Sequence, residues 1–317
     1  YRLPAKAETM VRQPVWNLAS HTAGMYVRFI TDATSIKASW RLTSNNLSMA
    51  HFSATGVSGI DLYVKMPDDS WHWLGIGKPT NTLNTATLAE GLKEGKREYM
   101  LYLPLYNGIH YVKIGIPENS TIRGVTPDKR KPIVFYGTSI IQGGCASRPG
   151  MCSTAILGRR LNREIINLGF SGNGRMELEM ARLLAELDPL VYFIDCLPNL
   201  QPEEVAARVE PFVKRLRHSH PDTPIILAED RSYTNAVLVE ELRQRNDCSR
   251  NALRNAYENL LNNGIKHIYY QVAEGQLGFD GDATVDGSHP SDLGFFRQAD
   301  AYQPILMHII RKYTHQK

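Results

Sequence analysis

Cysteine is scarce in this chain: four residues in 317, with no Cys-x-x-Cys pair and no Cys/His cluster at zinc-ligand spacing. That argues against a disulfide-stapled miniature fold and against a structural zinc site. Cys145 and Cys152 lie close enough in sequence to pair or to stay free, and Cys196 and Cys248 sit in patterns that read as buried. Long apolar runs are missing too, so no membrane span is expected. Charge of one sign is also lacking. The 36 basic and 32 acidic residues leave +4, interspersed along the chain. Such a balance is too weak to argue for nucleic acid or an anionic membrane surface as partner. The opening stretch YRLPAKAETM has no apolar core and no cleavage motif; it reads as a mature or trimmed terminus that does not reveal a compartment.

What is present falls into two parts with different grammar. Residues 1–116 read as short strands: AGMYVRFITD, SIKASWRLTS, GIDLYVKMPDDSWHWLGIGK, REYMLYLPLY and IHYVKIGIP, separated by turn clusters. In the last of these, Val112, Ile114 and Ile116 alternate with Tyr111, Lys113 and Gly115, which predicts one buried face. The one helical suggestion lies near TATLAEGLKEG (85–95). A β-sandwich, jelly-roll-like accessory domain over residues 1–125 is the expectation. The polar stretch PENSTIRGVTPDKRKP (117–132), with three prolines, reads as a linker.

From residue 130 to 317 strands and helices alternate. IVFYG, EIINLGF, LVYFIDC, PIILAED and HIYYQV read as buried strands. Between them lie helical stretches, one opening at Pro202 with Val205, Val209, Phe212, Val213 and Leu216 on one face, another carrying Cys248, Ala252, Tyr257, Leu260 and Leu261. The pattern predicts an α/β domain with a flavodoxin-like, doubly wound parallel sheet.

Ligands of such sheets bind beyond the carboxyl ends of the strands. Three of these ends read YGTSI, NLGFSGNG and DCLPN, and a loop after the fifth strand reads VDGSHPSDLGF. Together they supply the parts of an acyl-transfer site. Ser139 is the candidate nucleophile, His289 its base, and Asp286, three residues earlier, the group that orients the imidazole. The backbone N–H groups of Ser139 and Gly172 and the Asn199 amide are the candidate oxyanion donors. Each has a plainer reading: Ser139 as a helix cap, Gly172 as a tight turn, Asn199 as the cap of the helix near Pro202. Asp286 with Asp280 and Asp282 suggests a calcium loop, but the EF-hand spacing fails, so no metal is expected. Trp71 and Trp73 either form a sugar platform or pack inward as core.

This order of blocks resembles the SGNH, or GDSL-type, hydrolase superfamily. Ser139 in GTSI stands at the GDS serine, Gly172 in the glycine block, Asn199 in the asparagine block, and Asp286 and His289 in the Asp-x-x-His block. Thr138 stands where the family has aspartate, and Leu-Pro-Asn-Leu (197–200) where it has Gly-x-Asn-Asp. Upstream, GIDLYVK (59–65) resembles the Gly-x-Asp-Leu-Tyr signature of a small β-domain in one bacterial branch, and GGCASRPGM (143–151) is similar to that branch too. The resemblance implies exported proteins that hydrolyse acyl esters, above all acetyl groups on glycans, with no metal or organic cofactor. Thr138, Cys145, Trp71 and Trp73 are the further candidates to touch substrate. The competing functions are a lipase or thioesterase on the same triad, and a carbohydrate-binding protein that has lost turnover.

Overall fold

Alternating burial organises the first part of the chain. The computed structural model describes residues 1–314. Among them are eight antiparallel strands: β1 (Tyr26–Thr31), β2 (Ile36–Leu42), β3 (Ile60–Lys65), β4 (Trp71–Gly77), β5 (Leu83–Ala89), β6 (Arg97–Tyr102), β7 (Ile109–Gly115) and β8 (Ile122–Gly124). They form a five-stranded sheet, β4-β3-β6-β1-β8, and a three-stranded one, β5-β2-β7. β2 shows the cause. Ile36, Ala38, Trp40 and Leu42 point inward while Lys37 and Arg41 stay in water, the period-2 pattern of a sheet with one dry face. Those side chains share a core with Phe29, Ile60, Leu62 and Leu101.

Three expectations fail here. TATLA is not helical but forms β5, paired with β2. Its Ala and Leu content favours a helix, yet Asn84 and Leu88 alternate with exposed Thr85 and Thr87, and sheet pairing overrides weak propensity. The linker contains β8, which pairs with β1. The first twenty residues contribute no strand: a 3₁₀ turn (Ala5–Thr9) leads to helix α1 (Gln13–Ala19), and α2 (Ala54–Val57) is a single later turn. Leu3, Ala7, Val15, Trp16 and Ala19 pack into the core of the second part, beside Tyr136 and Leu168.

In that second part, β9 (Ile133–Gly137), β10 (Ile165–Gly169), β11 (Val191–Asp195), β12 (Ile225–Ala228) and β13 (Ile268–Gln271) are all parallel, in the order β10-β9-β11-β12-β13. This is the flavodoxin-like arrangement. The helices are α3 (Ser139–Gln142), α4 (Ser153–Arg160), α5 (Leu178–Leu184), α6 (Pro202–Ser219), α7 (Glu240–Asn262) and α8 (Asp292–Thr314). α5, α6 and α7 cover one face, and α4 and α8 the other. The five apolar positions expected of α6 are all fully buried. On α7 the buried stripe is Asn246, Ser249, Leu253, Ala256 and Leu260. Cys248 is exposed there, contrary to expectation, one step off that stripe. All four cysteines are free thiols, so Cys145 and Cys152 do not pair. No helix of the described residues is long and apolar enough to cross a membrane.

The two parts share apolar surface. Phe52, Tyr63, Tyr102 and Leu105 join Phe135, Ile141 and Ile156 in one cluster. The β-sheets are therefore fixed against the strand ends that carry the candidate chemistry.

Candidate active site

The nucleophile candidate sits where an inflexible strand stops. β9 ends at Gly137, Thr138 turns the chain, and Ser139 opens α3. Thr138 is fully buried, and its hydroxyl accepts the Ile140 N–H at 3.3 Å. It caps the helix, which corrects its expected place as a substrate contact. The cap is Thr138 and not Ser139, so the Ser139 hydroxyl is left for other work. The Ser139 side chain lies 2.9 Å from His289 Nε2, and His289 Nδ1 lies 2.8 Å from Asp286 Oδ2.

Asp286 is locked by the tight turn it belongs to. Its Oδ1 accepts the N–H of His289 at 2.7 Å and of Ser288 at 3.0 Å. Burial alone would raise its pKa, but the His289 amide and ring and the Ser288 amide hold it down to about 2. An ionised carboxylate only accepts, so His289 carries its proton on Nδ1 and presents the Nε2 lone pair to the serine. The loop is anchored from below. Arg231, buried and paired with Asp230, donates from Nε to the Ser288 carbonyl at 3.0 Å, and the Thr234 N–H donates to the Gly287 carbonyl at 3.0 Å.

Beside the serine lies the loop after β10. Among the described residues, neither the Ser139 nor the Gly172 N–H has an acceptor, so both stay available to an anion. Gly172 has φ +68°, and a Cβ there would meet nothing within 4 Å. Its glycine is required by the left-handed backbone rather than by close packing, unlike Gly174, where a Cβ would lie 2.0 Å from the Gly137 carbonyl. Asn199 belongs to the 3₁₀ turn Leu197–Asn199, and Gln201 takes the N-cap of α6. The reading of Asn199 as that cap is thereby excluded. Oriented by its hydrogen bonds, its Oδ1 accepts from Asn173 N at 3.0 Å and Gly174 N at 3.2 Å.

The N-terminal segment braces the same loop, a role sequence reading missed. Arg2 donates to the Gly169 carbonyl at 2.6 Å and stacks over Phe170 at 4.7 Å. Arg12 bonds Asn173 Oδ1 at 2.7 Å and pairs with Glu177. The β-sheets reach Ser139 as well. Tyr106 donates to the Ser139 carbonyl at 3.2 Å. Gln142 donates to the Leu105 carbonyl at 3.1 Å and accepts the Ser171 N–H at 2.9 Å. Cys145 is nearly buried with φ +76°, and burial followed by the nearby Asp286 charge pushes its thiol up to about 12.

The two tryptophans have partners of their own among the described residues. Trp71 lines a cleft of about 600 Å³ between the β-sheets and the β10 edge. Trp73 donates from its indole to Asp61 at 2.7 Å. Neither is a partner of Ser139, Asp286 or His289 among the described residues. Asp61, in GIDLYVK, also accepts from Arg148 at 2.8 Å and from the Gly150 N–H at 2.9 Å. The GIDLYVK and GGCASRPGM stretches thus meet, the first clamping the second just past Ser139.

A histidine hydrogen-bonded to both a carboxylate and a serine at the end of the first parallel strand lies within residues 130–307, which match the GDSL-like lipase/acylhydrolase family. The chain belongs to that family. Residues 1–122 match the N-terminus of SGNH-hydro-type esterases. Among solved structures, this esterase is similar to a GDSL-like lipase from Bacteroides ovatus, with 34% identity, a TM-score of 0.93, and coverage of 98% of this chain and 92% of that one. The salicylyl-acyltransferase SsfX3 from a tetracycline biosynthetic pathway has the same fold at 16% identity, with TM-score 0.77 over 98% and 89% of the two chains. So does a family two carbohydrate esterase from Clostridium thermocellum in complex with cellohexaose, at 16% identity and TM-score 0.66 over 92% and 93%. No curated protein matches the chain.

Proposed function

We propose that this enzyme is an exported serine esterase that removes O-acetyl groups from carbohydrates through an acyl-enzyme. Its two units are a β-domain of residues 1–125 and a hydrolase domain of 130–317. Ser139 Oγ attacks the acyl carbonyl while His289 Nε2 takes its proton, and Asp286 stabilises the imidazolium. The N–H groups of Ser139 and Gly172 and the Asn199 amide receive the oxyanion. His289 then protonates the departing alcohol, and water repeats the sequence to release acetate.

The observation that carries this reading is the continuous relay of 2.9 and 2.8 Å from serine through histidine to carboxylate. The carbohydrate half rests on the fold shared with the cellohexaose-bound esterase, and export on the family resemblance. The test is acetate release from acetylated xylan and from acetylated monosaccharides, with Ser139→Ala as control. The wild type should turn over and the variant should lose at least about a thousandfold. An unaltered rate in Ser139→Ala sinks the nucleophile. Preference for long acyl chains would instead identify a lipase. A chain that neither turns over nor reacts with a fluorophosphonate would be a binding protein.

A further inference from the structure

The triad histidine has two neighbours that acyl transfer does not use. His51 lies on the exposed turn closed by the Met49–Phe52 bridge of the β-domain, and its ring sits 5.7 Å from that of His289. Cys145 belongs to the loop past the nucleophile. One ligand atom from each of His51, Cys145 and His289 lies within 4.8 Å of the others. The turn bearing His51 is held against the Cys145 loop. Ser53 and Thr55 hydroxyls donate to the Ser147 carbonyl at 3.1 and 2.6 Å, and Phe52 packs edge-on against Tyr106 at 5.1 Å.

We propose that His51, Cys145 and His289 form an inhibitory site for a borderline-soft divalent cation of the zinc class. Two imidazoles and a thiolate are a zinc donor set, and calcium or magnesium would require oxygen ligands. Ligand atoms around tetrahedral zinc stand roughly 3.3–3.8 Å apart, so the cluster must contract by about an ångström. The exposed His51 side chain is free to supply that movement. His289 Nδ1 is engaged by Asp286, so Nε2 is the ligating atom, and the carboxylate behind it is the usual support of a metal-bound imidazole. On binding, the Cys145 thiol gives its proton to solvent and the cation takes the Nε2 lone pair from the Ser139 hydroxyl. No redox change is involved. Base and cation then compete for one lone pair, and the bound state bridges the β-domain to the hydrolase sheet. The inhibitory consequence rests on the esterase reading above; the binding does not.

Cobalt(II) titration of the reduced full-length protein tests the binding directly. The wild type should develop a near-ultraviolet thiolate-to-cobalt band, and His51→Ala and Cys145→Ser should each abolish it. In parallel, zinc should inhibit ester hydrolysis reversibly on chelation. Each variant, compared with its own metal-free rate, should need about tenfold more zinc or higher for half-inhibition. Absence of the band in the wild type overturns the site. So does a band that persists in Cys145→Ser, which would place the cation on exposed Cys248, or an unchanged zinc response in both variants. A protein that shows the band but hydrolyses no ester would leave the cation site standing and refute the esterase reading instead.

Discussion

Replacing Asp61 by alanine should destabilise the enzyme far more than its distance in sequence from Ser139 suggests. The carboxylate is fully buried, and Arg148, its partner, is 22% exposed. It accepts from the Arg148 guanidinium, the Gly150 N–H and the Trp73 indole. Truncation strands the Gly150 amide, which costs about 1–3 kcal/mol for a buried donor. It also removes one member of a buried ion pair, about 3–5 kcal/mol. Arg148 keeps some water and the rings of Tyr63 and Trp73 at 5.4 and 5.2 Å, so the sum falls at the low end, about 4 kcal/mol. On the scale of domains of this size that lowers Tm by roughly 8–16 °C. The pair is costly to break without being strongly stabilising: burial raises the Asp61 carboxyl despite the charge of Arg148. Asp61→Leu combined with Arg148→Met should therefore recover part of the loss. Thermal unfolding followed by circular dichroism, alongside ester hydrolysis, measures both effects. An Asp61→Ala protein within about 0.5 kcal/mol of wild type would refute the clamp.

Three other perturbations have definite signs. Asp286→Asn should lower kcat by about 10³–10⁴ in acetate-release assays, because an amide no longer enforces the Nδ1–H tautomer. The carboxyl is depressed to about 2 by its turn, so its contribution to stability holds above its ordinary pKa and disappears as pH falls through about 2, which acid titration of Tm should trace. Asn199→Ala should cut kcat about a hundredfold with KM little changed, if its amide receives the oxyanion; a pure KM effect would point to ground-state binding. Asp195 is fully buried, pushed up to about 7 by burial and then by Asp230, and it accepts from Tyr302 at 2.9 Å. Its raised pKa favours folding below the ordinary carboxylate range, an advantage lost as pH rises through about 7. Asp195→Asn should flatten that slope in Tm-versus-pH measurements and stabilise the protein above neutrality.

Most of the second part was legible because its signals are local. Five apolar strands bounded by glycine and proline, and a helix begun by Pro202, need no distant partner to be read. The four strand-end blocks could be picked out for the same reason: each candidate residue is presented by a turn whose residues are adjacent in sequence, as Asp286 and His289 are. What failed was decided by distant contacts. TATLA has helical composition and becomes a strand only because β2 offers an edge. The segment before Ala19 is too short for a helical period, and its Val15, Trp16 and Ala19 gain their core by crossing to the other part of the chain.

The same distinction explains the site's missing members. Arg2 and Arg12 hold the loop after β10, and His51 approaches His289, yet none stands near a motif. Thr138 shows the opposite error, a residue next to the serine that seemed a substrate contact and is a buried cap. Position in a motif says which backbone a residue belongs to, whereas burial and partners decide which way its side chain works. The Gly-x-Asp-Leu-Tyr stretch makes the point most clearly. Its aspartate looks like a feature of the β-sheets, but the three groups it binds include two on the loop past the nucleophile. The β-domain is therefore fastened to that loop. A perturbation of Asp61 that left both folding and turnover untouched would separate the two halves of the molecule again.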